Sequence, residues 1–112
     1  MPQCETVEAL EHIEEIAALD GVDGIFVGPY DLSVALGAPA AFATAEFRQA
    51  LDRVLRACRA RGKLTFTYAN SMVEARDRFV QGYRGPAVGT DTAFLVKAIQ
   101  GMLQSCQGIF SF

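Results

Sequence analysis

The chain has 112 residues, a hydrophobic fraction of 51% and a formal net charge of −3, which describes one ordinary soluble globular domain with a modest core and too little length for two. No Lys/Arg stripe offers a surface to nucleic acid, and no apolar run approaches the ~18 residues of a membrane span. The polar, acidic opening is unlike a secretory signal, and three widely spaced cysteines (Cys4, Cys58, Cys106) without a Cys-x-x-Cys pair are expected as reduced thiols in a cytoplasm.

The first element is a strand stub, Gln3-Cys4-Glu5-Thr6. Thr6 can cap a helix over 6–19, with Val7, Leu10, Ile13, Ile16 and Ala17 on one face. Asp20-Gly21 stops it, and 22–27 reads as a strand buried on both faces. An unusually apolar connection over 28–44 follows, carrying Val34, Leu36, Pro39 and Phe42. Thr44 caps the next helix, with Phe47, Leu51, Val54, Leu55 and Cys58 at helical spacing and Gly62 ending it. The β-branched and aromatic stretch 63–68 is a strand. Ser71-Met72-Val73-Glu74 is a capping box for a helix that turns Ala75, Phe79 and Val80 inward. A short strand over 86–89 should begin at Pro86, which has no amide to donate. Thr90-Asp91 starts the last helix, with Phe94, Leu95, Ala98, Ile99, Met102 and Leu103 along one stripe.

Strands alternating with helices, joined by connections too long for hairpins, make an α/β fold with parallel strands. Four such units are about half of an eight-stranded barrel. The packed unit is expected over 1–104, with 105–112 a flexible tail.

Two carboxylates stand out. Asp31 follows the apolar run Gly24-Ile25-Phe26-Val27, and Glu5 takes the matching place one strand earlier. Taken singly, Asp31 is as well read as a helix cap and Glu5 as a first-turn charge complementing a helix dipole. At the carboxyl ends of successive parallel strands, however, the two can converge above a barrel and hold a divalent cation that keeps positions open for substrate.

Three segments carry a resemblance: Gln3-x-Glu5-Thr6; Gly21-Val22-Asp23-Gly24-Ile25-Phe26-Val27-Gly28-Pro29-Tyr30-Asp31-Leu32-Ser33; and Val88-Gly89-Thr90-Asp91-Thr92. Their order and spacing resemble the HpcH/HpaI aldolase/citrate lyase family, class II metal-dependent pyruvate aldolases on a TIM barrel. The likeness spans all but about the last ten residues and implies a partial (β/α)8 barrel, the last four βα units. It implies that Glu5 and Asp31 hold the metal (Mg²⁺, Mn²⁺ or Co²⁺), that Gln3 lies at the pocket edge, and that the backbone amides of Tyr30 and Asp31 face the carboxylate of pyruvate or another 2-oxo acid. Members of the family carry a catalytic His and Arg on earlier strands, before the matched segment. This chain starts at what would be the fifth strand, so no catalytic residue is assigned and the chain is expected to be a truncated, weak or inactive carboxyl-terminal half.

The resemblance thus implies a carbon–carbon lyase that cleaves 4-hydroxy-2-oxo acids to pyruvate and an aldehyde. The alternatives are an acyl-CoA lyase of the citrate lyase β-subunit or malyl-CoA type, and a non-catalytic half-barrel. A half-barrel has two open edges, which favours a homo-oligomer formed through those edges and the last helix. Other candidates read more plainly. His12, the only histidine, belongs to a helix exterior, Cys4 to packing, and Asn70, Asp91 and the Gly89-Thr90 turn to caps and turns rather than to substrate or phosphate.

Overall fold

The computed structural model describes residues 1–110. Four strands, β1 (Gln3–Cys4), β2 (Gly24–Val27), β3 (Leu64–Ala69) and β4 (Gly85–Val88), form one sheet in the order β1-β2-β3-β4, every neighbouring pair parallel. The connections hold α1 (Val7–Glu11), α2 (Ile13–Ala18), α3 (Pro29–Ala35), α4 (Ala45–Ala60) and α5 (Met72–Gln81), and α6 (Asp91–Ile109) follows β4. The fold is therefore the parallel α/β sector that the alternation predicts.

Alternation along the strands sorts the side chains onto two faces. Cys4, Ile25, Val27, Thr65, Thr67 and Ala69 are buried on one face. There Leu10, Ile13 and Ala17 of the first two helices and Phe47, Val54 and Cys58 of α4 close over them to form the core, with Tyr83 inside it. Thr67 is tolerated in that layer because its hydroxyl donates to the Val27 carbonyl at 3.2 Å. The opposite face carries Gln3, Phe26, Leu64, Phe66 and Tyr68, and none of these is buried. The Phe66 ring lies across Gly24 and Gly85, where an added Cβ would meet it. Glycine on the flanking strands is what lets the ring lie down.

Several sequence expectations change. The first helix breaks at His12, which ends α1 and begins α2. The connection over 28–44 opens with α3, because Pro29 at the first helical position presets its φ and has no N–H to leave unsatisfied. β4 begins at Gly85, so Pro86 is its second residue; the position is tolerated because β4 pairs only with β3 and is an edge strand. On α5 only Ala75 is buried, while Phe79 and Val80 are 52% and 80% exposed, because no further element covers that side. The last helix runs through Ile109, so residues 105–109 of the expected tail are helical and Phe110 caps the helix; residues 111 and 112 lie outside the described residues. No residue of α6 is buried. The radius of gyration is 17.7 Å, against about 13 Å for a compact chain of this length.

Candidate metal and substrate site

The strand register sets the geometry. Cys4 lies opposite Val27, and Val27 opposite Thr67. One residue on, Glu5, Gly28 and Tyr68 fall in one row on the uncovered face, at the carboxyl ends of β1, β2 and β3. Asp31 enters from the first turn of α3, three residues after Gly28.

Gly28 reveals how close the two carboxylates come. A Cβ there would stand 3.2 Å from Glu5 Oε2 and 3.4 Å from Asp31 Oδ2. Both oxygens thus border one point, which glycine leaves open. Neither carboxylate has a hydrogen bond or an ion pair among the described residues. Two unpartnered anions facing a common space repel one another unless a cation joins them.

That donor set suits a hard divalent ion. Mg²⁺ or Mn²⁺ takes oxygen ligands and keeps several waters, whereas zinc prefers a closed N/S shell. No group of three or more His, Cys, Asp or Glu side chains with metal-holding geometry occurs among the described residues. Two ligands from the protein leave most positions of a six-coordinate ion to water and substrate, so the residues fit such an ion in its open form.

The start of α3 adds donors. Gly28 caps the helix without a side chain, and Pro29 has no N–H. The amides of Tyr30 and Asp31 then stand in the first turn with no intrahelical acceptor. Ser33, buried below them, donates to the Tyr30 carbonyl at 2.6 Å and accepts from the Ala40 amide at 2.9 Å, tying this turn to the following loop. Gln3 is exposed on β1, two residues before Glu5 and hence on the same face.

The remaining candidates take no part in the carboxylate site. His12 is on the outside, its Nδ1 3.3 Å from Glu15 Oε1. Cys4 points into the core, where burial above all, with the nearby Cys58 and Glu5 adding to it, pushes its thiol up to about 11. That makes it a packing residue rather than a nucleophile. Asn70 donates through its amide and its Nδ2 to Glu74 Oε2, at 2.8 and 3.1 Å. Thr90 caps α6 by accepting from the Ala93 amide at 3.2 Å, and Asp91 accepts from the Thr92 amide at 2.7 Å. The residue that sequence reasoning passed over is Gly28 itself. Its signal was the smallest side chain placed between a strand end and a Pro-initiated helix, with an acidic residue three positions on.

A parallel sheet built from βα units in the order β1-β2-β3-β4, with two acidic residues at the carboxyl ends of its first strands, has the architecture of a sector of a (β/α) barrel. The chain belongs to the HpcH/HpaI aldolase/citrate lyase family, which matches residues 1–98. It is 36% identical over 103 residues to the hydroxypyruvate/pyruvate aldolase of Deinococcus radiodurans, an alignment covering 92% of this chain and 37% of that one. Over 101 residues it is 34% identical to the 2-keto-3-deoxy-L-rhamnonate aldolase of Klebsiella pneumoniae, covering 90% of this chain and 38% of that one. An HpcH/HpaI aldolase/citrate lyase family protein from Burkholderia cenocepacia has the same fold, with a TM-score of 0.86 at 33% identity over 94% of this chain and 41% of that one. The chain thus spans about two fifths of the length of these relatives.

Proposed function

We propose that this chain supplies the metal- and 2-oxo-acid-binding side of an aldolase site, with Glu5 and Asp31 holding a divalent cation (Mg²⁺, Mn²⁺ or Co²⁺). The observation that carries the reading is the convergence of Glu5 Oε2 and Asp31 Oδ2 on the open point above Gly28. A cation bound there supplies Lewis-acid polarisation of the substrate's 2-oxo group. The unpaired amides of Tyr30 and Asp31 hold the carboxylate of pyruvate, and Gln3 borders the pocket from β1.

The reaction is cleavage of a 4-hydroxy-2-oxo acid. The bond between C3 and C4 breaks, the C4 hydroxyl gives up its proton to become the aldehyde, and C3 takes a proton to become the methyl group of pyruvate. A general base contributes roughly 10²–10⁴ in rate to such a step. His12 is exposed beside Glu15 and is not assigned as that base, and on this reading the 112-residue chain by itself is a weak or inactive lyase. The relatives' names, both aldolases, favour this chemistry over acyl-CoA lyase chemistry.

The test is calorimetric titration of Mn²⁺ into the chain, with and without pyruvate or oxalate, for wild type and Asp31→Ala. Saturable binding, tightened by oxalate and abolished by the substitution, is the expected result. Binding that survives Asp31→Ala would remove that carboxylate from the assignment.

A second reading rests on a separate observation, the exposed apolar residues Phe94, Leu95, Ile99, Met102 and Leu103 of α6 together with the edge strands β1 and β4. On this reading the chain forms a homo-oligomer through α6 and the open edges. Sedimentation at micromolar concentration tests it, and a compact monomer would end it.

A further inference from the structure

The row that holds Glu5 and Gly28 continues to Tyr68, and a cavity begins there. It has a volume of about 240 Å³, lies between α3, the connection that follows it and α5, and is lined by Tyr30, Phe42, Tyr68, Asn70, Glu74 and Arg78. Neighbouring strands are about 4.8 Å apart, so Tyr68 stands one strand spacing from the point on which Glu5 and Asp31 converge. Tyr30 belongs to both places, as its chain neighbour Asp31 borders the carboxylate site and its side chain lines the cavity.

The walls define what fits. Three aromatic rings supply apolar surface. The two charges cancel: Arg78 Nη2 is 3.1 Å from Glu74 Oε1, with the side chains 15% and 31% exposed. Hydrogen bonds from the Asn70 backbone amide first, and then from the Asn70 side chain and Arg78, hold the Glu74 carboxyl below the usual carboxylate range, so it stays charged. An anionic ligand would meet that carboxylate. A neutral oxygen would not, and Arg78 also carries a buried Nε without a hydrogen-bond partner among the described residues. An apolar cavity of about 150 Å³ already accommodates benzene, so this one has room for a substituted ring.

We propose that this cavity receives the part of the substrate released as aldehyde, and that this part is an uncharged aromatic group. The assignment rests on the metal and 2-oxo acid reading above, and each has its own readout. The probe is 4-fluorobenzyl alcohol, which has the shape of the aromatic aldehyde without its reactivity toward lysine. It is followed by ¹⁹F NMR on the full chain with Mg²⁺ and oxalate, then with Mn²⁺ and oxalate, while calorimetry reports Mn²⁺ binding independently.

The expected result is saturable binding that weakens at least tenfold in Phe42→Ala, a change at an exposed residue outside the core, and likewise in Tyr68→Ala. The probe's resonance should broaden with Mn²⁺ but not with Mg²⁺, and 4-fluorobenzoate should bind at least tenfold more weakly. Intact Mn²⁺ and oxalate binding with no saturable probe binding, or with equal affinity in Phe42→Ala, would overturn the cavity assignment and leave the metal reading standing. Equal binding of the benzoate would overturn the uncharged class. Probe binding in a chain that fails to bind Mn²⁺ would overturn the metal reading, and with it the link between cavity and aldehyde.

Discussion

Helix α4 buries Phe47, Ala50, Leu51, Val54, Ala57 and Cys58 within its 16 residues, whereas α6, at 19 residues, buries none. The difference runs against their compositions. α4 carries Glu46, Arg48, Asp52, Arg53, Arg56 and Arg59, and α6 has only Asp91 and Lys97 for charge. A helix with an apolar stripe calls for a neighbour over that face, yet no residue of α6 is buried, while α4 packs on β2 and β3. Hydrophobicity creates the demand for cover. Only topology decides whether the same chain meets it.

The sharpest way to break this comparison is a matched pair of truncations read by urea unfolding. Phe47→Ala, at a side chain 2% exposed, should cost about 3–5 kcal/mol of stability. Ile99→Ala on α6, at a residue 48% exposed, should stay within about 0.5 kcal/mol. A cost at Ile99 approaching that at Phe47 would mean that the α6 face is covered in solution.

The two faces of the sheet invite the next test. Gly28→Ala puts a methyl group at the point between Glu5 and Asp31, which should weaken Mn²⁺ binding about tenfold or more, roughly 1.4 kcal/mol. Unchanged calorimetry would mean that the uncovered face is a gap and not a site.

The caps then compare the helices bond for bond. Thr44 accepts from the Phe47 amide and Thr90 from the Ala93 amide, each at 3.2 Å. Thr44→Ala should lower global stability by about 1 kcal/mol. Thr90→Ala should leave the global transition in place and only speed amide exchange in the first turn of α6.

The smallest effect is electrostatic. Arg53 on α4 reaches Glu14 on α2 through two contacts of 2.8 Å, and those hydrogen bonds draw the Glu14 carboxyl from 4.5 down to about 2. The folded value lies below the unfolded one. The contribution is therefore present above about pH 4.5 and is lost as the pH falls toward 2. Because the pair is solvent-exposed the contribution is small. Arg53→Gln should slightly flatten the acid limb of a stability–pH curve, with the remaining slope coming in part from Glu74, whose carboxyl is lowered in the same sense.

Sequence by itself determined the parts of this protein that rest on local rules. Apolar spacing marked α4, the capping residues Thr6, Thr44, Ser71 and Thr90 all accept the bonds expected of them, and the alternation of strands and helices defined a parallel α/β sector. The three segments around Glu5, Asp31 and Asp91 pointed to the HpcH/HpaI family. Tertiary structure alone decided which apolar stripes are covered, because a stripe's periodicity is the same whether or not a neighbour arrives; hence Ala75 is buried while Phe79, Val80 and the whole of α6 are not. It alone decided that the apolar 28–44 connection begins as a helix. The strand register, a property of pairing between distant segments, put Glu5, Gly28 and Tyr68 in one row, so that a glycine became the gap between two carboxylates and Tyr68 the border of a cavity.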